Sequence, residues 1–346
     1  NRDHRSLPPG DRQRQQFARI QRRRGTIIQK MVIAARRRPF VTPSKARPAD
    51  NHKTSAALVW TALSAVYLIW GSTYLAIRFT VETTPPFLSA AARFLISGTV
   101  LYVWRRAAGD ANPNRLEWRN ASVIGILLLV GGNGGVVWAA QYIASSLSAL
   151  LVATVPLWML LFDAIRPAGE RPSGRALGGI VIGFCGAAML IGWIAGASTP
   201  KSLYGALAVV VASLLWAIGS IYGKILHLPS SPLLTTGIEM LAGGFVQILV
   251  AWAFGEFARF EAHAITSRSA WAWLYLTTVG PIAFVAYAWL LRNAPIPLVA
   301  TYSYVNPLVA ILLGNILGKE MITSRILVAA ALIISSVALV SAPNRR

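Results

Sequence analysis

The chain of 346 residues is 55% hydrophobic and only 13% charged, against about 25% charged in an average soluble domain, and its mean hydropathy is +0.54. These values exclude a soluble globular domain, and continuous apolar runs near the ~20-residue span length exclude a transmembrane barrel, whose strands alternate. The net charge of +21 does not mark a nucleic-acid binder, because residues 1–53 alone hold 15 Lys/Arg against 3 Asp.

In chain order, residues 1–53 are expected to form a basic, disordered cytoplasmic tail near anionic lipid headgroups, where each Lys or Arg contributes on the order of 1 kcal/mol. The tail shows neither the apolar stretch nor the small-residue cleavage site of a signal peptide. Its first methionine is Met31, so part of residues 1–30 reads as an upstream extension. Ten apolar runs follow, each read as a membrane helix: 55–77, 86–104, 120–142, 147–165, 176–195, 203–223, 232–255, 271–291, 296–317 and 323–341. Connections such as IASS (143–146) and RNAPIP (292–297) are short, which makes consecutive helices antiparallel neighbours in one bundle. With the amino terminus inside, the inner connections and the carboxyl terminus hold 11 Lys/Arg besides the tail, and the outer connections 6. Both termini are therefore expected in the cytoplasm.

The runs fall into two similar halves, 54–195 and 203–341. PPFLSAAARFLISGTVL (85–101) lies over SPLLTTGIEMLAGGFVQ (231–247) without a gap. LIWGSTYLAIR (68–78) parallels LLWAIGSIYGK (214–224), and LVATVPLW (151–158) parallels SYVNPLVA (303–310). Five spans per half is an odd number, so the second half is expected to be inverted in the membrane. Such repeats are the signature of secondary transporters, whose substrate site lies near the midplane where the halves meet.

The stretches IWGSTY, PPFLSAAARFL, GNG (132–134), ATVPL (153–157), WAIGSIYG (216–223), IEMLAGG (238–244) and ATYSYVNPLVAILLG (300–314), with Glu170 and Glu320, resemble the drug/metabolite transporter superfamily, and within it EamA-domain exporters of the YedA type. The resemblance spans about 54–341. It implies a ten-helix exporter of small metabolites, amino acids or drugs in a bacterial inner membrane. A facilitator, importer or exchanger of the same fold is the alternative. A membrane-embedded enzyme or a receptor is the reading from a different class. His4, His52, His227 and His263 all fall in the tail or loops, so no metal site is expected within the spans, and no cofactor is expected. No GxxxxGK[ST] loop points to an ATPase, and the lone Cys185 excludes an intramolecular disulfide.

Arg93 and Glu239 are the ionisable residues deep inside the runs, and the repeat sets one on the other. Each lies seven residues past a helix-opening proline, Pro86 or Pro232. At 1.5 Å per residue that is about 10 Å deep, from opposite faces. Three readings stand: an ion pair or polar network, contact with a charged or zwitterionic substrate, and a proton-coupling carboxylate in Glu239. Deep aromatic side chains, Trp70, Tyr74, Trp158, Trp216, Tyr222, Tyr287 and Tyr302, are candidates to line a central cavity, with helix packing or lipid contact as the alternative. Asn306 shares a helical face with Tyr302, whereas Tyr304 points elsewhere. Asn133, among four glycines in VGGNGGVVW, reads either as a close helix crossing or as a broken helix at the site. Pro156 and Pro307 are candidate hinges. Gly179-xxx-Gly183 is a small-residue packing motif that serves either the bundle or a homodimer.

Overall fold

A computed structural model describes residues 56–165, 173–197 and 199–341. The basic tail and Glu170 lie outside the described residues. Eight helices are long and apolar enough to cross a membrane: α1 (Ala56–Val81), α2 (Pro86–Ala107), α3 (Arg115–Ala139), α4 (Ser145–Ile165), α5 (Gly174–Ala197), α6 (Pro200–Ile225), α7 (Pro232–Ala253) and α8 (Ser267–Asn293). Two apolar helices, α9 (Tyr302–Ile316) and α10 (Ser324–Ser341), are shorter. The run expected over 296–317 is divided, because the prolines at 295 and 297 open a separate turn, Ile296–Val299, before the chain re-enters α9.

The helix starts follow local chemistry. Pro86, Pro200 and Pro232 each sit at a first helical position, where no backbone donor is needed. Asn114 opens α3 earlier than hydropathy alone indicates. Its Oδ1 accepts from the Glu117 N–H at 2.9 Å, while its own N–H donates to Glu117 Oε2 at 2.7 Å, a reciprocal capping box.

α2 lies along α7 and α5 along α10, while α1 packs on α8 and α9, and α6 packs on α3 and α4. The α2–α7 crossing is close because it meets at glycines. A Cβ on Gly98 would stand 2.9 Å from both Leu241 N and Met240 Cβ, and one on Gly237 would stand 3.0 Å from Tyr102 N. Gly179 and Gly183 face Ser336 on α10, so the small-residue motif of α5 is used inside the bundle.

Among the described residues three of the helices are interrupted, and a fourth break falls just ahead of α9. α3 winds as a π-helix over Ile126–Asn133, and Gln247 on α7 donates to the Leu129 carbonyl at 2.6 Å. A loosened backbone inside a membrane needs such a partner. α4 breaks at Ala153–Thr154, just before Pro156. α8 breaks at Val279, before Pro281, and Thr301 separates α9 from the preceding turn. Pro307, by contrast, sits inside the continuous α9.

Candidate functional site

The interruptions surround a central cavity of about 60 Å³, room for a few waters. α1 supplies Trp70, Thr73, Tyr74 and Ile77, which follow one another at helical spacing along a single face. α2 supplies Arg93, and α3 supplies Gly132, Asn133 and Val136. α4 adds Val152, and α6 adds Ala212, Ser213 and Trp216. Gly280 and Phe284 of α8 and Tyr302 of α9 complete the wall.

Arg93 is only 3% exposed. Its Nη2 donates to Asn133 Oδ1 at 2.5 Å, and its guanidinium stands 4.2 Å from the centre of the Phe94 ring. Among the described residues no carboxylate pairs with it. Opposite lies an aromatic cluster. The Trp70 ring meets Trp216 edge-on at 5.3 Å and 87°, Tyr302 at 5.4 Å and Phe284 at 5.5 Å. Gly132 allows Trp216 to lie against α3, since a Cβ there would stand 2.8 Å from Trp216 Cε3. The Trp216 indole nitrogen and the Tyr302 hydroxyl are buried, with Tyr287 as the polar neighbour of both.

Six of the residues expected to line a cavity therefore do so: Trp70, Tyr74, Arg93, Asn133, Trp216 and Tyr302. The other five lie elsewhere. Tyr287 is buried behind Trp70 and shares a hydrogen bond of 2.9 Å with Ser220. Asn306 is buried between helices, its amide nitrogen 3.2 Å from the Tyr67 and Tyr302 carbonyls, which ties α9 to α1. Trp158 packs on Phe184 of α5 at 4.5 Å, and Tyr222 is exposed. The ion pair of Arg93 with Glu239, part of one of the three readings, is absent among the described residues. The Glu239 backbone packs against Gly125 of α3, and among the described residues neither Arg93 nor Arg292 stands within ion-pair distance of its carboxylate. Arg292 instead donates to Pro229 O at 3.2 Å, Ser230 O at 3.1 Å and Thr235 Oγ1 at 3.1 Å. Distance from a helix start does not set the direction in which a side chain leaves its helix. Thr73, Ser213 and Phe284 were missed. Thr73 and Phe284 each stand one helical turn from a residue that was named, which was the available signal.

Acidic residues at the helix ends hold the site's walls. α2 ends in Gly109 (φ 93°) and α7 in Gly255 (φ 67°). Left-handed backbone of this kind is open to glycine at little cost. The two ends share one hydrogen-bond pattern: Asp110 N to Arg105 O at 3.1 Å, and Glu256 N to Ala251 O at 2.9 Å. The acid that follows the second glycine then serves the other helix. Glu256 accepts from the Leu88 N–H at 2.8 Å and the Phe87 N–H at 3.3 Å at the start of α2. Burial pushes its carboxyl above the ordinary range, against the pull of those two donors. Asp110 is held down to about 2 by the Arg105 guanidinium, with Ser231, the N-cap of α7, adding to the effect. Glu320, beyond α9, accepts from the N–H and hydroxyl of both Ser145 and Ser146 at 2.7–3.1 Å, and from Arg78 at 3.1 Å. Burial opposes its ionisation, but the combined donors win and lower its carboxyl. Among the described residues no three His, Cys, Asp or Glu side chains converge as metal ligands would.

The chain matches the sequence profile of the EamA-like transporter family twice, over residues 56–192 and 203–342. It is 38% identical to the inner membrane transporter YedA of Escherichia coli (strain K12), itself uncharacterized, across 81% of this chain and 89% of that one. It is 23% identical to YoaV, an uncharacterized transporter of Bacillus subtilis (strain 168), across 80% of this chain and 94% of that one. A solved crystal structure shares the fold with a TM-score of 0.59 at 23% identity, covering 82% of this chain and 97% of its own.

Proposed function

Because the chain belongs to the EamA-like transporter family and is a multi-pass membrane transporter, we propose that it is a secondary exporter of small metabolites, amino acids or drugs, working by alternating access in an inner membrane with both termini in the cytoplasm. The observation that carries the reading is the central cavity, walled by helices from both parts of the chain that match the family. Its volume of about 60 Å³ is far below the ~300 Å³ at which small-molecule sites begin, so a solute is admitted only when the helices part. The interruptions in α3, α4 and α8 and the break ahead of α9 fall where such parting needs them.

Two inverted five-helix halves are part of this proposal, and the packing supports them. Exchanging each helix for the one five places along the chain turns the contacts of α1 with α8 and α9 into those of α6 with α3 and α4. The same exchange returns the α2–α7 and α5–α10 pairs to themselves. Gly109-Asp110 and Gly255-Glu256, at equal spacing from Pro86 and Pro232, carry the same turn, and Glu256 caps the start of α2.

The test is solute flux in liposomes containing the purified chain, loaded with a labelled metabolite panel under imposed pH gradients. Protein-dependent efflux of at least one solute is expected. Its absence across the panel, with correctly inserted protein, would remove the exporter reading.

A further inference from the structure

The geometry points to a small organic monoanion, an acidic group joined to a flat apolar body, as the solute of the central cavity, with Arg93 as the group that takes its charge. This rests on reading the cavity as the solute site and goes further by naming the chemical class.

A guanidinium at membrane depth is costly, and such groups are otherwise paired with a carboxylate or turned to water. Arg93 has neither. It is 3% exposed, and the one hydrogen-bond partner it has is the neutral Asn133 amide. A guanidinium carries five N–H donors in a fork matched to a carboxylate or sulfonate. Most of that fork is unmet here, while Asn133 holds the side chain at the cavity wall. Trp216 and Tyr302 line the cavity with Arg93, and no charged side chain other than Arg93 is among the described residues of its wall. An anionic head bound in the cavity meets the open donors of the Arg93 fork.

The rest of the wall selects the body of the solute. Trp70, Trp216 and Phe284 offer ring edges and faces. No carboxylate lines the cavity, so an ammonium finds no counter-charge there and meets the field of Arg93. Cations are therefore rejected, and zwitterions bind less well than simple anions of the same shape.

The test uses the full chain purified in detergent and four aromatic probes: benzoate, benzamide and benzylammonium, which are matched in size, and the larger zwitterion phenylalanine. Calorimetric titration is expected to show benzoate binding at least tenfold more tightly than the other three. In Arg93→Gln that preference should shrink to about twofold or less, and Arg93→Lys should keep part of it. Benzamide or benzylammonium binding as tightly as benzoate overturns the assignment, as does the absence of benzoate binding or an undiminished preference in Arg93→Gln. The comparison among probes on the unaltered protein decides the matter even if Arg93→Gln does not fold. Flux separates the two readings. A protein that binds and moves benzylammonium loses only the anion assignment, and one that binds benzoate but moves no solute loses only the exporter reading.

Discussion

At the scale of single residues, Glu320 shows how one side chain outside the spans fastens several helices. Its carboxylate gathers α1 through Arg78 and the start of α4 through Ser145 and Ser146, with 7% of the side chain exposed. Glu320→Ala leaves those donors without their acceptor and is expected to cost about 1–3 kcal/mol, read as a lower melting temperature in detergent. The pH dependence follows from its lowered carboxyl pKa. A carboxylate with a folded pKa below its unfolded value binds fewer protons in the native state. Its contribution is complete above the unfolded value of about 4.3 and is lost as pH falls through the folded one. Melting temperatures taken from pH 6 downward should fall through this range, and Glu320→Gln should flatten that part of the curve. Glu256 has the opposite sign: its raised carboxyl makes its contribution largest when protonated and weaker as pH rises.

At the scale of elements, the α2–α7 pair is fastened at one end by an acidic cap and in its middle by glycines. Glu256→Ala removes the acceptor for the first N–H groups of α2, so a loss of about 0.5–2 kcal/mol is expected in thermal melts. Gly98→Leu acts in the middle. Its Cβ would crowd Leu241 and Met240, and overpacking of this kind costs roughly 1–3 kcal/mol unless the helices separate. Melting of the two variants separates the contributions, and a Gly98→Leu protein as stable as the parent would show that the crossing is not tight. These elements were partly legible. The opening prolines marked the starts of both helices, and the gapless match marked them as equivalent. AAGD (107–110) and AFGE (253–256) also stood at equal spacing, but the task of Glu256 depends on a helix far away in the chain.

At the scale of the whole molecule, the two shorter helices matter most for topology. If α9 and α10 cross with the other eight, the crossings number ten and both termini share one side. A fluorescent reporter active only in the cytoplasm, fused after Arg346, should then be bright, and a reporter active only outside the cytoplasm should stay silent. The reverse pattern would remove the ten-crossing topology. The cavity also belongs to this scale, because no single helix contains it: seven of the ten helices contribute to its wall.

Hydropathy and pattern alone determined that this chain lies in a membrane, roughly where its helices run, and that its two parts correspond. Each of these follows from free energies summed along the chain, which a sequence states directly. Tertiary structure decided which way Arg93 and Glu239 point, where α3, α4 and α8 break, and which aromatic residues share one space. Those outcomes depend on helix rotation and on the backbone approach that Gly98, Gly125, Gly132 and Gly237 allow. Contacts between residues far apart in sequence set both, so the Glu239 backbone lies on Gly125 while Arg93 faces the cavity with no carboxylate among the described residues of its wall.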